Sequence, residues 1–395
     1  MEVSKKEFGA FALLDALYWA FFASSVGFLT TYMLACGLSN SILSIVLAIY
    51  MLCAFLGAFF WGGLCDKLKS NKKVFIPEFA TAGVLALIIF FMASRNIWVS
   101  ACLYPLLGFL LIPLGSNLDS WMLRNFNQSG ETYGKARAMG SVGFAVTMLI
   151  LGNLINSLGY IVQPIAIILF SVLVVLLGLW MREKRFEVVM TMEAVTDSGS
   201  LKDLFKIKPY MFVLIILFLV GLSISPVNNL KIVFLQSVGG DVSMLGLDSF
   251  IGVMVQALFI FGSGLLKRIP VNLRLFLIPA FVLGTHLMNL FAVTPYMIIA
   301  GTVLNNVSYG IMLPTQREIT EYSVPYALKN RAHSLGDAMY SSFSGMMALL
   351  YSGILIDSFG ARSVALLGVV IMIIPVVMTI KRMIANEGLG KRNYD

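Results

Sequence analysis

Charge is scarce in this chain. Asp, Glu, Lys and Arg make up 12% of its 395 residues, against roughly 25% in an ordinary soluble domain. That scarcity excludes an ordinary cytosolic enzyme, and the apolar excess that accompanies it excludes a disordered chain. Histidine is rarer still: with two in the whole sequence, no zinc, haem or clustered catalytic constellation is available. No metal or other cofactor is therefore expected, and no enzyme activity. The four cysteines, Cys36, Cys53, Cys65 and Cys102, lie near the N-terminal quarter and form no CxxC pair, so they read as small apolar packing residues. A phosphate-binding loop of the GxxxxGK[ST] kind is missing, which leaves the chain without an ATPase of its own.

What fills the space is apolar. Hydrophobic residues reach 59% and mean hydropathy is +0.89. The net charge of +8, spread along so greasy a chain, points to the inner face of a membrane and not to nucleic acid. A membrane helix takes about 20 apolar residues, whereas a barrel strand takes about ten with strict alternation. The runs here are long and continuous, so helices are expected. Polar or turn-rich breaks cut them into twelve, at about 8–34, 40–64, 74–94, 97–122, 134–158, 160–181, 209–236, 245–267, 273–293, 295–316, 330–356 and 362–383. The first run is too long and ends wrongly for a cleavable leader.

Placing the N-terminus inside puts 25 of the 28 Lys and Arg on the cytoplasmic side. Outside remain Arg95 and Arg362, with Lys231 inside a span. One missed helix would exchange every later loop, so this asymmetry supports both the count and a cytoplasmic location for both termini. The longest polar stretch, 182–208, reads as a cytoplasmic linker between an N-terminal six-helix half, 1–181, and a C-terminal half, 209–395; Ser200 is a candidate cap for a short helix there. The halves look related. Gly152–Gly159 is echoed by Gly353–Gly360, and Gly63–Lys67 by Gly264–Arg268, both at an offset of 201 residues. A parallel repeat follows: an all-α integral membrane protein of twelve helices, in two pseudo-symmetric six-helix bundles around a central cavity.

This layout resembles the major facilitator superfamily. That family carries Gly-x-Leu-x-Asp-Arg/Lys after its second helix, read here as Gly62-Gly63-Leu64-Cys65-Asp66-Lys67, although Lys69-Ser70 replaces the usual Gly-Arg. The glycine is expected to let helices approach closely. Asp66, at a helix C-terminus, is unfavourable unless it caps a neighbouring helix or meets a cation. Gly62, Asp66 and Lys67 are therefore candidates for a conformational latch. A tighter resemblance, to the lactose permease and nucleoside–proton symporter branch, rests on Asp119 and, eighteen positions on, Arg137, followed by Gly140-Ser141-Val142-Gly143-Phe144. The resemblance implies a substrate-binding pair at Asp119 and Arg137, with Phe144 at the aromatic position. Two features of that branch are missing: the tenth run offers Tyr309 and Met312 where a His and a carboxylate belong, and the eleventh offers Gly345 where a Lys belongs. Lactose itself is therefore not expected as substrate. The Gly-Pro of the superfamily's drug antiporters is also missing from 138–158, which argues against efflux.

Ionisable and polar residues inside spans are functional candidates by default. Asp15 shares a helical face with Tyr18, Trp19 and Phe22, a protonatable carboxylate beside an aromatic platform. Asp337 is its counterpart in the second half, making these two the candidates for proton coupling. Asn228, Asn229 and Lys231 follow Pro226, which loosens the seventh helix; Lys231 either joins that polar group or snorkels outward. Asn305, Asn306, Tyr309 and Tyr340 are candidates for the cavity lining. Gln256 and His286 read as packed, satisfied residues, and Glu318 and Glu321 as wet end residues. The expected function is secondary active transport of a small polar, sugar- or nucleoside-like solute across the cytoplasmic membrane by alternating access, as proton symport. The alternatives are a proton-coupled exporter of drugs or metabolites and a non-transporting receptor on the same fold. The expected partners are the small-molecule substrate, protons and the lipid bilayer; nucleic acid is not one of them, and the protein is expected to be a monomer.

Overall fold

In a hydrocarbon medium every backbone N–H and C=O must find its partner within the chain, which favours helices throughout. The computed structural model, which describes residues 4–184, 201–261, 266, 268–325 and 328–385, follows that rule: among them there are helices and turns but no strand. Twelve helices are long and apolar enough to cross a membrane. We number them α1 (Lys5–Ala35), α2 (Asn40–Leu68), α3 (Lys72–Ala93), α4 (Ile97–Asn125), α5 (Gly130–Leu158), α6 (Val162–Trp180), α7 (Lys208–Asn229), α8 (Val242–Phe261), α9 (Val271–Leu290), α10 (Pro295–Ser323), α11 (Arg331–Phe359) and α12 (Ala361–Ile384). The chain is a multi-pass membrane protein. Phe59, Trp180, Val293 and Phe359 stay exposed, as suits a surface solvated by lipid tails.

Local chemistry sets the ends. The hydroxyls of Ser4, Ser39 and Ser129 accept from the amides of Glu7, Ile42 and Thr132, and the Asn96 side chain accepts from Trp98; each occupies one orphan donor of a first turn. At the other end, α5 and α11 close on glycines with φ of +79°, Gly159 and Gly360, each returning its amide to a carbonyl four residues back at 2.8 Å. These two glycines are the ones paired by the 201-residue offset. The second echo, at 264–268, lies mostly outside the described residues, as do Ser200 and most of the linker; within 182–208 a short helix covers Leu201–Leu204.

Two helices depart from regularity. α1 contains a π segment at Ala23–Gly27, and α11 one at Met339–Phe343. The seventh run is not one span: α7 ends at Asn229 and the chain restarts as a short helix, Lys231–Gln236. Pro226 has no N–H to give to the turn before it, so the break falls just beyond it. The 201-residue offset carries the π segment of α1 onto 224–228, the neighbourhood of that break.

Contacts divide the chain into two compact units, Met1–Val188 with Asp241–Phe250, and Val189–Gly240 with Ile251–Asp395. In the first, helices approach through glycine. A Cβ on Gly57 would lie 2.2 Å from the Phe109 carbonyl oxygen, and one on Gly108 2.3 Å from that of Tyr50, so α2 and α4 touch backbone to backbone. The start of α8 meets α5 in the same way, a Cβ on Gly246 falling 2.3 Å from the Met148 oxygen, which is why Asp241–Phe250 groups with the first unit. Aromatic packing fills the middle: Phe11 meets Trp121 edge-on at 5.4 Å, and Phe21 lies 4.7 Å from Phe79. In the second unit, Leu204, Tyr210, Leu214, Val324, Leu328 and Ala332 form a buried cluster at one end, and the Tyr210 hydroxyl donates to the Ala332 carbonyl at 2.8 Å.

Candidate functional site

In the first unit the polar centre is built on α1, α4 and α5. The side chain of Asp15 is 1% exposed, while Asp119 and Arg137 are about a third exposed. Arg137 reaches both acids: its terminal nitrogen lies 3.4 Å from Asp15 Oδ2, and its Nε lies 3.4 Å from Asp119 Oδ1. The expected two-residue fork is therefore a three-residue bridge, in which each carboxylate offers one oxygen. The guanidinium also sits over the Trp19 indole, 4.6 Å from the ring centre, a favourable cation–π position. Phe144 stands 6.4 Å from Trp19 at a near-right angle. Tyr133 adds a hydrogen bond to Asp119.

Glycine makes this meeting possible. A Cβ on Gly140 would fall 2.1 Å from Asp15 Oδ2 and 2.5 Å from Trp19 Cδ1, and one on Gly143 2.3 Å from the Ala16 oxygen. The GxxG after Arg137 is the groove into which α1 settles. Burial leaves Asp15 Oδ1 without a hydrogen-bond partner. Tyr18 does not belong to the contact surface expected of it: it is 1% exposed and its hydroxyl donates to the Leu111 carbonyl at 2.7 Å. It fixes α1 to α4 behind the site.

In the second unit the candidates form smaller groups. Asn305 donates to Asn228 at 3.3 Å, while Asn229 turns back onto the Ser225 carbonyl at 2.9 Å and Asn306 onto that of Thr302 at 2.9 Å. Lys231 does not snorkel outward: it is 6% exposed and donates to Thr302 Oγ1 at 2.7 Å. The rings of Tyr309 and Tyr340 lie 5.7 Å apart. Asp337 accepts from Gln316 at 3.3 Å and faces Arg317 at 4.0 Å. Glu318 keeps about a quarter of its side chain exposed, 26%, but pairs at 2.7 Å with Arg274, whose side chain is 2% exposed; Glu321 is exposed, with Lys329 and His333. Gln256 is half-buried. His286 is fully buried but unsatisfied, with neither ring nitrogen hydrogen-bonded. Its packing is tight against α12, where a Cβ on Gly368 would fall 2.3 Å from the ring.

At the end of α2, Gly62 and Asp66 line a recess of about 240 Å³ together with Cys65, Asn71, Asn117 and Arg124. Two details differ from expectation. A Cβ on Gly62 would meet nothing within 4 Å; close approach comes from Gly57 and Gly108 instead. The carboxylate that caps the neighbouring helix is not Asp66, which is exposed, but Glu183. It accepts from the Asn71 amide at 2.6 Å, from the Lys72 amide at 3.3 Å and from the Ser70 hydroxyl, and pairs with Arg124 at 3.2 Å. An anion over the first turn of α3 meets its orphan N–H groups and the positive end of its dipole. Glu183 lies in the polar linker, where nothing in sequence spacing points to α3. Glu78 on α3 was also passed over, although a carboxylate four residues into the third apolar run is the signal that singled out Asp15.

Twelve spans, with an Arg–carboxylate centre set among them, define a transporter of the major facilitator type. The chain belongs to the MFS_1 like family, whose profile matches residues 12–367. It is 22% identical to the maltose permease of Geobacillus stearothermophilus over 302 residues, covering 75% of this chain and 74% of that protein. It is equally 22% identical to the transporter YwbF of Bacillus subtilis strain 168 over 311 residues, 78% and 76% of the two chains. Among solved structures it is similar to the nucleoside transporter NupG, with a TM-score of 0.78 and 17% identity over 96% of this chain and 99% of that one. That likeness carries the fold.

Proposed function

We propose that this protein moves a small polar, sugar- or nucleoside-like solute across the cytoplasmic membrane by alternating access, in symport with protons and with both termini in the cytoplasm. In this mechanism 1–181 and 209–395 are the rocking halves, joined by 182–208, in a monomer. The observation that carries it is the Arg137 bridge. A guanidinium held by single contacts keeps donors for ligand hydroxyls, and the carboxylates accept from the same hydroxyls, so a polyol or ribose finds a complementary planar pattern. The indole of Trp19 and the ring of Phe144 supply apolar faces for a sugar or a base. One cation between two carboxylates leaves one negative charge in excess, and a single proton on the cluster removes it. Asp15, closed off and half-satisfied, is the carboxylate assigned to that proton, and Asp337 is its candidate counterpart. The likeness to a maltose permease and to a nucleoside transporter supports the solute class.

Uptake into proteoliposomes tests the reading, using a panel of radiolabelled disaccharides and nucleosides with and without an imposed inward proton gradient. Accumulation of one class, raised by the gradient, is expected. Uptake of a member that ignores the gradient would remove the proton from the proposal; gradient-driven efflux would replace symport by antiport.

A further inference from the structure

Glu78 sits on α3 beside Pro77 and is 1% exposed. Neither carboxyl oxygen has a hydrogen-bond partner among the described residues. The polar group that approaches it is the side-chain amide of Asn117, from α4. The titratable groups facing it are neutral ones, Tyr18 from α1 and Cys65 from α2; α6, also packed on α3, has no ionisable residue. Asp66, Arg124 and Glu183 lie around Cys65, toward the recess. A carboxylate inside a span with neither a cation nor a set of donors is costly, and a bound proton removes that cost.

The surroundings also supply a route. Asn117 accepts from Asn71 Nδ2 at 2.6 Å and returns a bond to the Asn71 carbonyl at 3.4 Å. Both asparagines line the recess that Asp66 and Arg124 share, at the end of the bundle bearing Lys67, Lys69 and Lys72. We propose that Glu78 is a proton-binding site separate from the Asp15–Arg137–Asp119 cluster, loaded by water that reaches it from the recess along the polar wall made by Asn117 and Asn71. Glu78 takes a proton from water in the recess and becomes a neutral acid; on release the proton returns to water. Its place behind the 62–73 segment lets the charge on Glu78 bias the movement of that segment. This last link, and only this one, rests on the proposed proton-coupled transport.

The test uses the full chain in lipid nanodiscs. Infrared difference spectra between neutral and alkaline buffer are expected to contain a carbonyl-stretch band of a protonated carboxylic acid. Recorded in an Asp15→Asn background, which removes the other buried carboxyl assigned a proton, the band should vanish in Glu78→Gln with the melting temperature unchanged, and its exchange in deuterated water should slow several-fold in Asn117→Leu. In that background a band that persists in Glu78→Gln, or none while Glu78 is in place, overturns the site. Unaltered exchange in Asn117→Leu overturns the route. Should Glu78→Gln fail to purify, Glu78→Asp replaces it: a shifted band supports the site, and an unmoved one overturns it. Failure of a proton gradient to drive uptake would sink the symport reading while leaving the band in place, so the two failures are distinguishable.

Discussion

Arg137 stands between Asp15 and Asp119, 3.4 Å from one oxygen of each, with Trp19 beneath its plane. The cation joins three helices, α1, α4 and α5, and it does so only because Gly140 and Gly143 admit α1 at contact distance. The polar centre is thus built on a steric permission as much as on charge.

That dependence makes a first prediction. Gly140→Ala places a methyl against Asp15 and Trp19, which costs at least the roughly 1–3 kcal/mol typical of overpacking. A lower melting temperature and loss of substrate binding are expected together. Gly62→Ala is the contrast: its methyl meets nothing, and the exchange favours the helix by up to about 1 kcal/mol. Its melting temperature should hold or rise. If Gly62→Ala nonetheless transports slowly, the defect is in movement and supports the latch role proposed for Gly62, Asp66 and Lys67; normal transport would remove Gly62 from it.

Glu183 gives a second. Glu183→Gln keeps the shape but loses the charge-assisted bonds to the first turn of α3 and the ion pair with Arg124. Bonds of this kind contribute about 1.5–3 kcal/mol each at most, so thermal melting in detergent should show a clear loss. Asp66→Asn, with no cap to lose, should melt like the wild type; equal destabilisation by the two changes would show that the cap is shared.

How much of this was legible beforehand differs by feature. The twelve spans stand out because each needs an unbroken apolar run, and Gly159 and Gly360 because a positive φ after a helix selects glycine wherever the turn recurs. Asp119 and Arg137 were marked by spacing and resemblance. Asp15 was legible as a carboxylate in a span, but its joining Arg137 was not, because that requires the register of α1 against α5. The interruption after Pro226 was visible as a loosening, yet its effect on Lys231 was not, since only the restart of the helix turns that side chain inward to Thr302. Glu183 escaped because capping across a linker leaves no periodic trace.

A third prediction concerns pH. Asp241, just before α8, is held below the usual carboxylate range, first by the Ser243 hydroxyl and then by the Met244 and Ser243 amides and the Asn156 side chain; Ser243 Oγ donates at 2.6 Å and the Met244 amide at 3.0 Å. A depressed folded value means that ionised Asp241 stabilises the fold above the ordinary aspartate value, about 3.9, and that this contribution disappears as pH falls below it toward the folded value. Asp241→Ala should cost about 1 kcal/mol, as a lost helix cap does, at neutral pH. Melting curves should show the gap between wild type and Asp241→Asn narrowing on acidification through that window; a gap that widens would assign the stabilisation to the neutral acid.

The fourth prediction separates a binding site from a structural bridge at Arg137. Arg137→Lys retains a positive charge but loses the planar donor fork and reaches at most one of the two acids. Asp119→Asn removes one partner and one excess charge. Asp15→Asn removes the other acid, the one assigned to the proton. If the cluster reads a hydroxyl-bearing ligand, Arg137→Lys and Asp119→Asn should abolish detectable binding of any solute identified in the uptake screen, with protein still in the membrane. Asp15→Asn should leave exchange of solute across the membrane running while gradient-driven accumulation is lost, because substrate contacts survive and only the titrating carboxyl is gone. Exchanging the residues, Asp119→Arg with Arg137→Asp, keeps an ion pair but reverses the donor and acceptor pattern facing the ligand. It should not restore binding. A swapped protein that transports at near wild-type rate would make the Arg137–Asp119 contact a structural salt bridge and move the substrate site elsewhere. Loss of exchange in Asp15→Asn would place Asp15 among the residues that hold the fold or the ligand, and not with the proton.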